Sequence, residues 1–472
     1  MKPCLCSWLV ALSGLLGSLW PAVHAAAPRP NIIFILADDL GYGDLGCYGQ
    51  QRIRTPRIDR LAAEGLRFTQ AYAGSTVCAP SRCALMTGRH MGHARVRGNA
   101  GRANPLAQSL RVGDVTVAGM LQGAGYTTAL IGKWGLGDVG GAEAGLPRRQ
   151  GFDYFFGYLN QRHAHNYYPS FLWRNEERVR LRNAVPNEDP DGAGVSDNKI
   201  EYSADLIADE ALAFIRRAQD RPFFLYFAPT IPHANNEAGP AGMEVPDLGW
   251  YRDRDWPPAQ KAHAAMISRL DRDVGRILDL LRELGLDERT LVLFSSDNGP
   301  HREGGFDPAF NDSSGPLRGI KRDLYEGGIR VPFIARWPGR VPAGRVSGQV
   351  TAFWDFLPTV AELAGVANPP ACDGISIVPT LLGRPQRRQH EFLYWEFFEG
   401  GFKQAIRAGD WKGIRLAPGG PLELYDLKTD LGETRDLAAS RPGVVQRLDR
   451  LLAGAREDSP DWPVPGQAKA TR

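Results

Sequence analysis

Cysteine is scarce in this chain. There are six in 472 residues, and two of them, Cys4 and Cys6, fall in an apolar N-terminal segment. The other four, Cys47, Cys78, Cys83 and Cys372, are too few to staple a chain of this length. A disulfide scaffold is therefore excluded. Charge of one sign is missing too. Lysine and arginine number 56 against 53 aspartates and glutamates, and the two signs are interspersed. Bulk charge gives no footprint for nucleic acid. Beyond the N-terminus no apolar run is long enough to span a bilayer. Internal repeats and low-complexity tracts are absent. What remains is an ordinary globular composition, with length for one large domain and a smaller one.

The first residues read as a secretory signal peptide over 1–25. Lys2 supplies a basic start, Trp8 to Leu19 an apolar stretch, and Val23-His24-Ala25 a small-residue cleavage site. The mature chain is expected to be exported, periplasmic or secreted, with no membrane span once the leader is removed.

Asn31–Ala37 is a largely apolar run leading into acid, as a buried parallel strand reads. Similar runs recur at Thr127–Ile131, Phe223–Phe227 and Thr290–Phe294. Helix-period segments lie between them, at Ile58–Leu66, Val115–Leu121, Ala204–Ala218 and Ala264–Leu284. This alternation predicts an α/β layer with helices on both faces and ligands at the carboxyl ends of the strands. The character changes after Leu382-Gly383-Arg384-Pro385. Aromatic, alternating segments over 390–414 and 422–427 predict an antiparallel sheet, and a last helix is expected near 444–455. The divisions read from this are a main domain over 28–384, a smaller α+β domain over 385–460 and a flexible tail over 461–472.

The polar residues that end the strands carry the chemistry. Asp38 and Asp39 close the first strand; Asp297 and Asn298 close the run from Leu291 to Ser296. Three carboxylates and an amide form an oxygen-only set that suits a hard cation, Ca²⁺ or Mg²⁺. Taken alone, either pair reads equally as a turn former or helix cap. Cys78 begins Cys-Ala-Pro-Ser-Arg-Cys-Ala-Leu-Met-Thr-Gly-Arg. Pro80 suits a first helical position and Gly88 a helix C-terminus, which puts Cys78 where free N–H groups favour an anion. Arg82 follows one turn later. Lys133 follows the Thr127 run, His233 ends Ala-Pro-Thr-Ile-Pro-His, and Lys321 precedes Tyr325-Glu326-Gly327-Gly328.

The stretch Cys-x-Pro-Ser-Arg-x-x-Leu-x-Thr-Gly-Arg resembles the signature of the type I, formylglycine-dependent sulfatases, arylsulfatases among them. The early Ala-Asp-Asp-Leu-Gly-Tyr-Gly-Asp and the late Ser-Asp-Asn-Gly resemble that family's metal site. The resemblance runs from Asn31 to about Asp436 and is weakest over 170–203. It implies an alkaline-phosphatase-like sandwich with a mixed, mostly parallel central sheet and a smaller C-terminal domain. It implies hydrolysis of a sulfate monoester, of a carbohydrate or aryl alcohol, to alcohol and sulfate. Cys78 would be converted by a maturation enzyme to 3-oxoalanine (formylglycine), whose hydrate is the nucleophile. The metal, calcium by family usage rather than magnesium, would be held by Asp38, Asp39, Asp297, Asn298 and position 78. Arg82 would hold the formylglycine, Lys133 and Lys321 the sulfate oxygens, and His233 would protonate the leaving oxygen.

One position departs from the family. Where many sulfatases read Gly-Lys-Trp-His-Leu-Gly, this chain reads Gly-Lys-Trp-Gly-Leu-Gly, with Gly135 in place of the histidine. An imidazole from elsewhere is expected to compensate, and His163, His165 and His301 are the candidates, also as substrate contacts. Two alternatives stay open: a phosphonate or phosphodiester hydrolase on the same scaffold, and a catalytically impaired binder of sulfated glycans.

Overall fold

The computed structural model describes Met1 and residues 29–100, 104–139 and 143–466. The leader read over 1–25 lies, Met1 apart, outside the described residues. In chain order the strands of the first part are β1 (Asn31–Ala37), β2 (Leu66–Phe68), β3 (Ala71–Tyr72), β4 (Thr127–Lys133), β5 (Tyr154–Tyr158) and β6 (Phe171–Arg174). They continue with β7 (Glu177–Arg180), β8 (Phe223–Ala228), β9 (Thr290–Ser296), β10 (Phe333–Arg336), β11 (Arg345–Ser347) and β12 (Thr351–Ala352). Ten of these form one sheet in the order β11-β2-β10-β9-β1-β8-β4-β5-β6-β7, while β3 pairs with β12 apart from it.

The middle of the sheet, β9-β1-β8-β4-β5, is parallel throughout. Antiparallel pairings enter only toward the edges, through β10 and through β6 and β7. The four apolar runs are the four innermost strands; β1 has the bounds of its run, β8 adds one residue, and β4 and β9 each run two residues further, to Lys133 and Ser296. All seven residues of β1 are buried. Ile32, Phe34 and Leu36 enter one core, and Ile33, Ile35 and Ala37 the other. Burying such a side chain is worth about 1.5–3 kcal/mol, so this strand is fixed from both faces.

The helices are α1 (Pro56–Ala63), α2 (Cys78–Thr87), α3 (Val117–Gly123), α4 (Ser203–Ala218) and α5 (Pro258–Glu283), then α6 (Glu326–Ile329), α7 (Phe356–Ala364), α8 (Val378–Leu381) and α9 (Pro442–Gly454). Helices α1, α4 and α5 cover the Ile33 face; α2, α3 and α7 cover the Phe34 face.

The second sheet is a meander of β13 (Leu393–Phe397), β14 (Lys403–Ala408), β15 (Trp411–Arg415) and β16 (Leu422–Asp426). Strand alternation splits it cleanly. Leu393, Trp395 and Phe397 join the core of the large sheet, while Tyr394, Ile406 and Leu424 pack under Leu448 and Leu452 of α9. The tail departs from expectation at its start. Trp462 is buried, packs tilted against Phe398 and donates Nε1–H to the Arg95 carbonyl at 3.1 Å. The ring contact and the satisfied indole N–H anchor this segment, and with Trp462 and Val464 both buried, residues up to Val464 belong to the body of the protein.

Candidate active site

The carboxyl ends of the central strands converge on the N-terminus of α2. The helix begins at Cys78, two residues before the proline expected to open it, and Gly88 ends it with a φ of 68°. Pro80 remains in the first turn, where its missing N–H costs nothing. Cys78 thus sits on the first helical residue, and the Ala79 N–H is taken by Asn99 Oδ1 at 3.2 Å.

Around the Cys78 sulfur stand Asp38, Asp39 and His233, with one donor atom from each of the four within 4.8 Å of the others. Arg82 is fully buried and reaches Asp297 Oδ2 through Nε at 3.1 Å and Nη2 at 2.8 Å. Its Nη1 donates to the Lys133 carbonyl at 2.8 Å. Lys133 Nζ pairs with Asp38 Oδ2 at 2.7 Å, and Lys321 Nζ with Asp39 Oδ2 at 2.9 Å. Asn298 Nδ2 donates to Asp39 Oδ1 at 2.7 Å, and the Asp39 N–H to Asp297 Oδ1 at 3.1 Å. Eleven of the predicted residues are therefore in one buried cluster or against it: Asp38, Asp39, Cys78, Arg82, Lys133, His165, His233, Asp297, Asn298, His301 and Lys321.

The electrostatics show what the cluster holds and what it lacks. Burial pushes the Asp38 carboxyl up, but Lys133 and Arg82 outweigh it and hold it far below the usual range. Asp39 is depressed likewise by Lys321 against burial. Asp297 goes the other way, pushed up to about 7 by burial and by the Asp38 charge. Arg82 and the two lysines balance the three carboxylates in charge, yet two buried oxygens, Asp38 Oδ1 and Asn298 Oδ1, accept no hydrogen bond among the described residues. Orphaned oxygen acceptors in an all-oxygen set of carboxylates and an amide fit a hard divalent cation. Burial raises the Cys78 thiol well above its ordinary range, with Lys133 opposing and Asp38 adding to the rise. As a thiol it is no nucleophile.

His233 donates Nδ1–H to the Ala234 carbonyl at 2.7 Å, which leaves Nε2 to accept from Lys321 Nζ at 3.1 Å. Burial, then Lys321, lowers its pKa to about 3. The ring is sandwiched, with His165 stacked at 5.0 Å on one side and His301 at 6.0 Å.

Two of the three histidines proposed to stand in for the missing side chain at 135 are committed elsewhere. His301 lies behind His233, accepts the Glu303 N–H at Nδ1 (3.0 Å) and bonds the Pro232 carbonyl through Nε2 (3.2 Å). Both ring nitrogens are used, so it has none for substrate. His163 turns away altogether: it is fully buried, packs on Tyr158 and Phe171, and bonds the Phe171 carbonyl at 3.1 Å. His163 and His165 lie on a 3-10 turn. With three residues per turn, positions two apart cannot share a face. His165 is the one that meets His233, and it is held by Glu237 at 3.0 Å.

Three residues were not foreseen. Glu303 pairs with Lys321 at 3.1 Å and with Arg322 at 2.6 Å; its place two residues after His301, just past the Asp297 pair, was the one signal available. Glu399 reaches Arg322 from beyond β13 at 3.0 Å, and nothing local marks it. Gln161 lies against Gly135.

Known proteins share this layout. The Sulfatase family model matches residues 30–366, and the model for the C-terminal part of N-sulphoglucosamine sulphohydrolase matches residues 320–457. Mouse (Mus musculus) steryl-sulfatase is 34% identical over 92% of this chain and 83% of its own length. Human (Homo sapiens) arylsulfatase A is 35% identical over 90% of this chain and 88% of its own. Among solved structures, that of Ps i-CgsB in complex with k-i-k-neocarrahexaose superposes with a TM-score of 0.76 at 26% identity, covering 92% of this chain and 95% of that one.

Proposed function

The chain belongs to the sulfatase family and is a sulfuric ester hydrolase, and on that premise we propose that it cleaves a sulfate monoester of a carbohydrate or aryl alcohol at a formylglycine made from Cys78. The observation that carries this reading is the Cys78 sulfur in a buried ring of Asp38, Asp39 and His233, flanked by two lysines already paired to those aspartates. A buried thiol with a raised pKa has no use there as such; its conversion by a maturation enzyme gives the position a function. Hydrated, the aldehyde supplies two geminal hydroxyls, one to attack sulfur and one whose proton loss expels sulfate and restores the aldehyde.

Asp38, Asp39, Asp297 and Asn298 would hold a divalent cation, which we read as calcium rather than magnesium. Such an ion supplies Lewis acidity and screens sulfate oxygens. Arg82 fixes Asp297 and the end of β4, and so the geometry of the set. Lys133 carries donors beyond its Asp38 partner and stabilises the sulfate oxygens as charge shifts onto them, while Lys321, its ammonium shared among Asp39, Glu303 and His233, adds its positive charge. The proton for the leaving oxygen comes from the Lys321–His233 pair. His233 Nε2 already meets the Lys321 ammonium, and an anionic ester bound beside it raises the basicity of the imidazole. Export agrees with the N-terminal leader; among the described residues no helix is long and apolar enough to cross a membrane.

The test is sulfate release from a panel of sugar and aryl sulfates, with an aryl phosphate diester in parallel, by protein co-expressed with a formylglycine-generating enzyme. Sulfate release above diester cleavage is the expected result. Faster diester cleavage would move the assignment to a phosphodiesterase on this scaffold, and binding without turnover to a glycan-binding protein.

A further inference from the structure

The side chain missing at 135 leaves a space, and that space is filled. A Cβ built on Gly135 would land on Gln161 Nε2, inside any real contact distance, and Gly135 has a φ of 81°, which disfavours a side chain there. The backbone explains why Gln161 is the residue that arrives. Strands β4 and β5 run parallel in register, Lys133 opposite Tyr158. The pairing continues past the strand ends, with the Trp134 N–H on the Tyr158 carbonyl and the Gly135 N–H on the Leu159 carbonyl, both at 2.9 Å. Two residues further, Gln161 folds back over Gly135. Four residues beyond that, His165 stacks on His233. Along the two segments Gln161 thus stands between the register partner of Lys133 and His165, the residue that stacks on His233.

Its carboxamide is buried, yet neither Nε2 nor Oε1 has a hydrogen-bond partner among the described residues. A buried donor and acceptor left unpaired lose their hydration without return, and nearly all such groups in folded proteins are satisfied. A filler at this place would be better made of carbon. The same residue lines a small cleft with Gly135, Gln108, Asn160 and Asp138.

We propose that the Gln161 carboxamide is a substrate-contacting residue that takes the place left empty at Gly135 and gives the sulfate ester a hydrogen bond from a group that does not titrate. The inference rests on the sulfatase reading and deepens it. It also replaces the expectation that an imidazole compensates, because the space belongs to an amide that carries no exchangeable charge. No proton is transferred by Gln161; the acid chemistry stays with the Lys321–His233 pair.

The test uses the full-length, formylglycine-bearing protein and p-nitrophenyl sulfate, with sulfate release and thermal unfolding read on the same samples. Gln161→Leu keeps the volume and removes both polar atoms. It should lower kcat/KM tenfold or more, by the same factor from pH 5 to 9, while Tm stays level or rises. Gln161→His should bring into the pH–rate profile a new inflection near 6.5, the ordinary imidazole value, that neither the parent nor Gln161→Leu shows. A Gln161→Leu protein with kcat/KM within twofold of the parent would overturn the proposal and leave the sulfatase reading intact. So would an activity loss matched by a fall in Tm and no new inflection in Gln161→His, which marks a packing role. A parent protein that releases no sulfate would overturn both.

Discussion

At the scale of single residues, the site depends on a few buried charges that compensate one another. Asp297 is the carboxylate most in need of a cation, and it is also the anchor of Arg82. Asp297→Ala should therefore lower kcat/KM by about a hundredfold or more and abolish stoichiometric calcium, as read by metal analysis. Chelation of the parent should produce a comparable loss that added calcium reverses; stoichiometric zinc in its place would contradict the oxygen-donor set. His233→Ala should lower kcat by about 10²–10⁴-fold, with far-ultraviolet circular dichroism and bound metal unchanged. The loss should be smaller on esters with good leaving groups, which need less help from a proton donor. Much of this set was legible in the sequence, because Asp38, Asp39, Asp297 and Asn298 directly follow apolar runs that could only be buried strands. Gln161 was not legible. Its meeting with Gly135 depends on two chain segments continuing in register past their strand ends, and no local pattern records that.

At the scale of elements, α2 is the part that places Cys78, and its exit is as constrained as its entry. Gly88 ends it in the left-handed region, where an added Cβ would come within 2.9 Å of Cys372 Cβ and 3.0 Å of Leu357 Cβ. Gly88→Ala should destabilise the protein by about 1–3 kcal/mol, combining the strain of a positive φ with overpacking, which equilibrium denaturation would measure. Activity per folded molecule should fall too, since the helix that carries Cys78 must shift to make room. The long apolar strands and amphipathic helices were readable from period alone. The short strands β2 and β11 were not, because three residues carry too little pattern; β2 is placed by its pairing with β10, and β11 by its pairing with β2 at the sheet edge.

At the scale of the whole molecule, the two sheets are joined by a buried ionic knot. Glu326 of α6 accepts from Tyr72 at 2.6 Å, pairs with Arg330 at 3.1 Å and meets Lys412 of β15 at 2.9 Å. Lys412 in turn holds Glu433 at 2.9 Å. Burial raises the Glu326 carboxyl, but Lys412 and Arg330 outweigh it and bring it from 4.5 down to about 2. A carboxyl depressed on folding stabilises above its unfolded value and loses that contribution as pH falls through its folded one. The Glu326 contribution should therefore be complete above pH 4.5 and vanish toward pH 2. Glu433 has the opposite sign: raised to about 7 by burial and the Glu326 charge against the pull of Lys412, it costs stability as pH rises from 4.5 to 7. Glu326→Gln should destabilise the protein by about 3–5 kcal/mol near pH 7, the cost of breaking a buried pair. The gap from the parent should close between pH 4.5 and 2 in thermal unfolding followed across pH. A gap that stays constant across that window would show that the knot is not held by charge.

The central claim is that position 78 works as formylglycine and not as cysteine. Mass spectrometry of the peptide spanning Cys78, taken from protein whose sulfate release has been measured, tests it most directly. Conversion of the thiol to an aldehyde should lower the peptide mass by about 18 Da, a value fixed by the covalent change. The converted fraction should rise and fall with specific activity across preparations made with and without the maturation enzyme. Full activity in protein whose Cys78 peptide carries only the unmodified thiol would contradict the account.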